Sequence, residues 1–196
     1  MTMNQTDYTR PPVIDYHALN PAQTAAYDAI AAGPRGKVEG PLAIWVLNPE
    51  LAGKLQELGA YCRFGSSLPP RLSELAILTV GAYWQSDFEW YAHAPIAEKA
   101  GIEASIIEAI RLRNIPRFVR SDEAAVYMFG RSMLEHRKAP DPVYQDLVRE
   151  IGQSGAIDLV GIAGYYCLVC LTLNAFRVPV PGGGASPFAD AGQSPS

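Results

Sequence analysis

Two long apolar segments constrain the fold more than any other feature of the sequence. Residues 71–84, RLSELAILTVGAYW, are apolar on most sides of a helix, and residues 156–176, AIDLVGIAGYYCLVCLTLNAF, are similar in character. Both are long for buried strands, so they predict buried helices. No segment shows the sustained alternation of apolar and polar residues that is typical of half-buried strands. The sequence therefore predicts an all-α fold.

Several amphipathic helices have recognisable first residues. Asn20 followed by Pro21 and Gln23 predicts a capping box, and Asn48 followed by Pro49 predicts a second helix start. Residues 33–41, GPRGKVEGP, are typical of a connecting loop. Further helices are predicted at 86–100, at 101–112, from Ser121 to residue 136, and from Asp141 to a C-cap at Gly152.

The chain of 196 residues is long enough for one full domain and too short for two large ones. We expect an extended N-terminal arm at 1–18, a single helical domain at 19–181, and a flexible tail at 182–196 that is rich in Gly, Pro and Ser.

A weak internal repeat also runs through the domain. An Ala-Ala helix with a tyrosine, a Pro-opened amphipathic helix and a buried helix with an acidic start occur twice in that order. The first set is Ala25–Tyr27, Pro49–Leu58 and Glu74–Tyr83, and the second is Ala124–Tyr127, Pro142–Ile151 and Asp158–Tyr166. The order predicts a duplicated helical unit.

Charge, apolar run length and cysteine content argue against a nucleic-acid-binding, membrane-spanning or disulfide-bonded protein. A net charge of −4 without any run of Lys or Arg argues against nucleic-acid binding. No segment reaches the roughly 20 uninterrupted apolar residues that span a bilayer, and the first 20 residues lack the apolar region of a signal peptide. Three cysteines do not form a disulfide framework, so we expect a cytoplasmic protein with reduced thiols.

Glu89 and His93 lie four residues apart on the helix predicted at 86–100, which makes them a candidate proton-handling pair. A competing interpretation is structural. Ser86-x-x-Glu89 is itself a capping-box pattern, in which the glutamate would point back to the helix start and away from His93. Pro95, two residues beyond His93, predicts a kink that either improves packing or frees a carbonyl beside His93, and packing is the favoured interpretation.

Cys167 and Cys170 form a Cys-x-x-Cys pattern inside the apolar stretch YYCLVCLTL. No neighbouring His, Lys or Arg is present in that stretch to lower the pKa of a thiol. Cysteines in such a setting are usually inert, so the pattern does not predict a redox centre or a metal site.

Residues 71–102, RLSELAILTVGAYWQSDFEWYAHAPIAEKAGI, resemble the carboxymuconolactone decarboxylase and alkylhydroperoxidase D-like (AhpD-like) superfamily, especially at Glu74, Glu89, His93 and Gly101. The flanking segments extend the resemblance to its longer members over about residues 19–181. In the redox branch, a Cys-x-x-Cys pair lies between the glutamate and the histidine. Those positions are Ser86 and Glu89 here, so the thiolate that peroxide chemistry requires is missing.

The resemblance to the cysteine-less decarboxylase branch implies a cofactor-independent lyase without a metal, acting on a small carboxylated lactone in aromatic-compound catabolism. It implies that His93 donates a proton, that Glu89 is its partner, and that Glu74 is a second acid–base or orienting group. Candidate substrate-binding residues are Arg71, Arg63, Ser86 and Tyr166.

Members of this superfamily are ring-like oligomers, so the resemblance also implies a homotrimer, with a homohexamer as the alternative. Two other functions stay open at this point. One is a non-catalytic oligomer that binds a small metabolite or serves as a scaffold, and the other is a peroxidase-like remnant without its redox cysteines.

Overall fold

The computed structural model describes residues 10–33 and 36–189, and all regular secondary structure in those ranges is helical. The all-α prediction is therefore confirmed. The helices are α1 (Pro21–Ala32), α2 (Pro41–Trp45), α3 (Pro49–Ala60), α4 (Pro70–Trp84), α5 (Asp87–Lys99), α6 (Ala104–Arg111), α7 (Ser121–His136) and α8 (Asp141–Ala175). Short 3₁₀ turns occupy Tyr16–Ala18 and Pro181–Gly183, and a π-helical turn occupies Tyr61–Gly65.

Helices α1 and α3 begin where their capping residues predict. The Asn20 side chain accepts from the Gln23 backbone N–H at 3.0 Å, and the Gln23 side chain accepts from the Asn20 N–H at 3.0 Å. Asn48 caps α3 by accepting from the Leu51 N–H at 3.3 Å. These bonds satisfy backbone donors that lack partners inside the helix.

Helix α4 lies at the centre of the molecule. Eleven consecutive residues, 72–82, are buried, and α4 packs against α5, α7 and α8. This arrangement confirms the prediction of a buried helix at 71–84 and explains why its sequence is apolar on most sides. The second apolar segment lies in α8 and packs against α4, so the two segments together form the core.

Helix α8 joins the two helices that the sequence predicts separately. At Gly152 the backbone has φ 72° and ψ 170°, which is non-helical, so a sharp break divides α8 into residues 141–151 and 153–175. Because that conformation is almost exclusive to glycine, Gly152 marks the break as the sequence predicts. The duplication itself stays a prediction.

Two elements next to the core were not predicted from the sequence. Helix α2 begins at Pro41, the last residue of the loop predicted at 33–41. It is joined to α8 by a hydrogen bond in which the Trp45 indole N–H donates to Thr172 Oγ1 at 3.1 Å. The π-helical turn extends α3 and carries residues 61–65 towards α8.

The terminal segments differ from the prediction in one respect. The predicted tail is docked up to residue 189: Phe188 is buried and its ring lies 5.3 Å from that of Trp90, and Ser186 Oγ donates to Asp87 at 2.6 Å. One large aromatic residue thus anchors a segment whose Gly and Pro content suggests flexibility. Residues 1–9 of the predicted arm and 190–196 of the tail lie outside the described residues.

Helix α8 is, by length and composition, apolar enough to cross a membrane. Its most apolar window is, however, 56% buried against the rest of the chain. A core helix of a soluble protein has the same property, and the break at Gly152 shortens the continuous helix further.

Candidate active site

His93 lies between two carboxylates that approach opposite nitrogens of its ring. On one side, Nδ1 is 2.6 Å from Glu74 Oε2, which reaches across from α4. On the other side, Nε2 is 3.1 Å from Glu89 Oε1, one helical turn earlier on α5. All three side chains are buried. The structure thus brings together the three residues predicted as catalytic.

The two carboxylates determine the charge of the imidazole. Burial lowers the pKa of His93, but the charge of Glu89 and the hydrogen bond and charge of Glu74 outweigh burial, so the pKa is raised above its usual value. Nδ1 is within hydrogen-bond distance of Glu74, whereas Nε2 and Glu89 are paired by proximity of charge. The two carboxylates therefore favour the protonated form of His93.

Ser86 precedes α5 but does not cap it through its side chain. The Ser86 hydroxyl makes no capping hydrogen bond, and the Ser86 backbone N–H donates to the Gly81 carbonyl at 3.0 Å. The predicted capping box of Ser86 and Glu89 is therefore wrong. Glu89 belongs instead to the imidazole cluster, because the buried His93 offers it a cationic partner.

A cavity of about 300 Å³ opens beside this cluster. Glu89 and His93 line it, whereas Glu74 does not, so the Nε2 edge of the imidazole borders the cavity and the Nδ1 edge faces the protein interior. Such a volume is at the lower end of the range for small-molecule sites. The other lining residues are Lys37, Glu39, Pro41, Leu42, Arg63, Phe64, Phe88, Ala92, Tyr165, Tyr166 and Val169.

The two arginines predicted as substrate ligands are placed differently. Arg63, on the π-helical turn, lines the cavity. Arg71, at the start of α4, instead pairs with Asp122 at 2.5 Å and with Glu123 at the start of α7. These bonds raise the pKa of Arg71, with the Asp122 bond as the largest raising contribution. The structure gives Arg71 a role in joining α4 to α7 and does not bring it to the cavity.

Tyr166 of α8 covers one face of the cluster. Its ring lies 5.3 Å from that of His93 at an interplanar angle of 84°, and the ring of Tyr165 is in edge contact with Tyr166 at 5.3 Å. Both tyrosines line the cavity, as predicted for Tyr166. Ser86, the other predicted substrate ligand, is buried and is not among the lining residues.

Of the two cysteines in the Cys-x-x-Cys pattern, Cys170 is buried in the core and Cys167 is partly buried against it. Burial raises the pKa of the Cys167 and Cys170 thiols above the usual value, and the Trp84 indole N–H donates to Cys167 Sγ at 3.4 Å. Neither residue lines the cavity. A thiolate nucleophile is therefore disfavoured at either position.

The residues at the cavity mouth were not among the predicted site residues. Lys37 and Glu39 form an ion pair there, on the loop before α2. The loop then turns at Gly40, where φ is 58° and an added Cβ would lie 2.5 Å from the Phe88 ring. This close approach explains why glycine occupies the position, and a Gly-rich loop is the only sequence hint of it.

The geometry suits proton transfer to a small bound molecule. The His93 imidazole borders the cavity, carboxylates hold its orientation, and aromatic and aliphatic side chains line much of the remaining wall. Arg63 supplies a positive charge for an anionic ligand. Among residues 10–33 and 36–189, no three His, Cys, Asp or Glu side chains are grouped as ligands for a metal ion.

Comparison with known proteins supports this description. Residues 49–126 match the family model "Carboxymuconolactone decarboxylase family", a range that includes Glu74, Glu89 and His93. No curated protein matches the chain in sequence. A crystal structure from Agrobacterium tumefaciens, of a protein of unknown function named as a candidate antioxidant defence protein AhpD, is similar with a TM-score of 0.62. At 15% identity, the alignment covers 73% of this chain and 99% of that one, so it shows a shared fold only.

Proposed function

Because residues 49–126 match the carboxymuconolactone decarboxylase family model, we propose that the chain is a cofactor-independent lyase that decarboxylates a small carboxylated lactone. One observation carries the proposal: a buried imidazole is held between two carboxylates at the wall of a cavity that fits a small metabolite.

In the proposed reaction, the bond between the lactone ring and the departing carboxylate breaks. Its electron pair is delocalised through the conjugated double bond onto the lactone carbonyl oxygen, which gives a dienolate and carbon dioxide. His93 then gives its Nε2 proton to a ring carbon, and water later returns a proton to the imidazole. A histidine is suited to this transfer because it changes protonation state near neutral pH.

The two glutamates have different tasks in this scheme. Glu74 approaches Nδ1 from the protein interior, so it fixes the orientation of the ring and keeps that nitrogen protonated. Glu89 lies on the cavity side, 3.1 Å from Nε2, so its charge would favour the protonated form of the nitrogen that transfers the proton. Arg63 would bind a substrate carboxylate, and Tyr166 would hold the ring of His93 through the edge contact.

The redox alternative lacks support from the geometry. Peroxide reduction of this type needs a low-pKa thiolate beside the histidine, whereas burial raises the pKa of Cys167 and Cys170. Because neither sulfur lines the cavity, a peroxide bound beside His93 would not meet a thiol.

The test is the turnover of 4-carboxymuconolactone, followed by carbon dioxide release and by loss of ultraviolet absorbance. We expect wild type to be active and His93→Ala to lose about 10²–10⁴-fold in kcat, the usual contribution of a general acid. Glu89→Gln should lower kcat as well. The matched control is His136→Ala, which changes an exposed histidine at the end of α7 and should leave the rate unchanged.

The outcomes separate the possible functions. Activity that is lost in His93→Ala, with circular dichroism and native mass unchanged, would support the lyase and its acid. Absence of turnover in wild type would contradict the substrate and favour a metabolite-binding protein. Equal rates in wild type and His93→Ala would contradict the assignment of this site.

A further inference from the structure

The π-helical turn Tyr61–Gly65 is the element that brings Arg63 to the cavity. The side chain also lines a second cavity of about 400 Å³ outside the first, so it lies at the junction of the two. Its guanidinium carbon is 5.6 Å from the centre of the Phe64 ring. Within the described part of the chain, no carboxylate lies within ion-pair distance of Arg63, so its charge is available to a ligand.

A π-helical turn is rare, often occurs at functional sites, and depends on contacts with the rest of the fold. Here Cys62 of the turn is buried in the core, and one buried carboxylate, Asp158 of α8, supplies hydrogen bonds to the segment. Asp158 Oδ1 accepts from the Tyr61 hydroxyl at 2.6 Å, and Oδ2 accepts from the Ser67 hydroxyl at 2.6 Å and from the Ser67 backbone N–H at 2.7 Å. These partners lie on both sides of Arg63 in the chain.

We propose that Asp158 is a positioning residue that holds the π-helical turn at both ends, so that the Arg63 guanidinium faces the cavity and binds a carboxylate of the ligand. The proposal rests on the proposed function only for the chemical class of the ligand. Nothing in the reaction scheme above requires Asp158, and the residue does not line the cavity.

The ionisation of the Asp158 carboxyl group is consistent with this positioning role. The Ser67 hydroxyl, the Tyr61 hydroxyl and the Ser67 N–H all lower the pKa of the Asp158 carboxyl, in that order of contribution. The carboxylate therefore stays ionised at neutral pH and keeps its strong acceptor character.

A positional role and an electrostatic role predict opposite results for Asp158→Asn. Removal of a negative charge near the cavity would, by charge alone, strengthen the binding of an anion. Loss of the hydrogen bonds to the turn would instead allow Arg63 to move away and would weaken binding. The sign of the change therefore distinguishes the two roles.

The experiment uses the full chain and maleate, a small conjugated dicarboxylate, as the calorimetric probe. We expect Arg63→Ala to weaken maleate binding about 10- to 100-fold, the range for a hydrogen-bonded charge pair. Asp158→Asn should also weaken maleate binding. The double variant with both Arg63→Ala and Asp158→Asn should bind maleate no more weakly than Arg63→Ala alone. Ser121→Ala, which removes a 2.8 Å bond to Glu150 on another face, should bind as wild type does.

With the lactone substrate, the same Asp158→Asn variant should raise KM and change kcat by less than about threefold, because the His93 cluster is untouched. A merely structural role would lower the active fraction and reduce kcat without raising KM. If Asp158→Asn does not fold, Tyr61→Phe removes a single bond at a half-exposed side chain and should produce a smaller change of the same sign.

Unchanged or stronger maleate binding in Asp158→Asn would overturn the proposal. Additive losses in the double variant, or no maleate binding by wild type, would overturn it as well. If maleate binds with the expected pattern while no lactone is turned over, the proposed reaction fails and the role of Asp158 stands.

Discussion

At the scale of single residues, the decisive point is the direction of the Glu89 side chain. The sequence allows two arrangements, because Ser86-x-x-Glu89 matches a capping box and Glu89-x-x-x-His93 matches an ion pair. Glu89 lies beside His93 because both carboxylates favour the charged form of the buried imidazole, Glu74 through a 2.6 Å hydrogen bond and Glu89 through its charge at 3.1 Å. The spacing of residues within α5 cannot decide between the two arrangements, because Glu74 lies on another helix, α4.

The raised pKa of His93 makes stability depend on pH. The unfolded chain has an ordinary histidine pKa of about 6.5, and the folded chain has a higher one. The folded state therefore binds more protons between these two values. Stabilisation from the imidazolium is fully present below about pH 6.5 and is lost as pH rises through the folded-state pKa.

We expect the difference in free energy of unfolding between wild type and His93→Gln to shrink as pH rises above about 6.5. Urea denaturation at several pH values measures it, and exposed His136→Gln is the matched control. A constant difference across the range would contradict the charged state inferred for His93.

At the scale of elements, helices with strong caps or long apolar runs were predictable. Asn20 and Asn48 mark the starts of α1 and α3, and the apolar character of 71–84 marks α4. Helix α2 and the π-helical turn were not predictable, because Trp45 and Tyr61 are fixed by distant partners on α8, namely Thr172 and Asp158. Those partners cannot be paired from sequence spacing.

The break in α8 gives a prediction at this scale. We expect Gly152→Ala to lower the free energy of unfolding by about 1–3 kcal/mol, because a side chain is strained at φ 72° and ψ 170°. Gly53→Ala is the matched control. Gly53 lies within α3 and its Cβ would meet no atom within 4 Å, so this change should stabilise by up to about 1 kcal/mol. Urea denaturation measures both, and equal effects would contradict the strain argument.

At the scale of the whole molecule, the cavity combines segments that are far apart in the sequence. Its walls come from the loop before α2, the π-helical turn, α5 and the second half of α8. The resemblance was enough to select His93, Glu89 and Glu74, because they lie in one continuous block. The resemblance could not show which of Arg63 and Arg71 lines the cavity. Arg71 is excluded because Asp122 and Glu123 on α7 pair with its guanidinium, and this pairing cannot be read from the sequence.

An exposed apolar face on the second half of α8 is consistent with self-association. Ile157, Val160 and Leu171 are 65%, 54% and 47% exposed, and Gly161 and Gly164 between them leave room for a close helix approach. We expect this face to contact another copy of the chain in the homotrimer that the family resemblance implies. A continuous apolar surface without charge is typical of oligomer interfaces.

Sedimentation of wild type should therefore give the mass of three chains, and Val160→Glu should shift the protein towards monomer. Val119→Glu, at an 85% exposed position away from α8, is the matched control and should remain assembled. A mass of six chains would favour the hexamer. A monomeric wild type, or equal behaviour of the two variants, would contradict this interface.

The place of Gly152 in the chain has a consequence during synthesis on the ribosome. The residues of α8 beyond Gly152 cover α4 and contribute Tyr166 to the His93 cluster, yet they are translated after the seven other α-helices. At about 5–20 residues per second, several seconds separate the addition of His93 from that of Ala175. During that interval the surface of α4 that packs against α8 has no partner, so the nascent chain exposes apolar surface until α8 is complete.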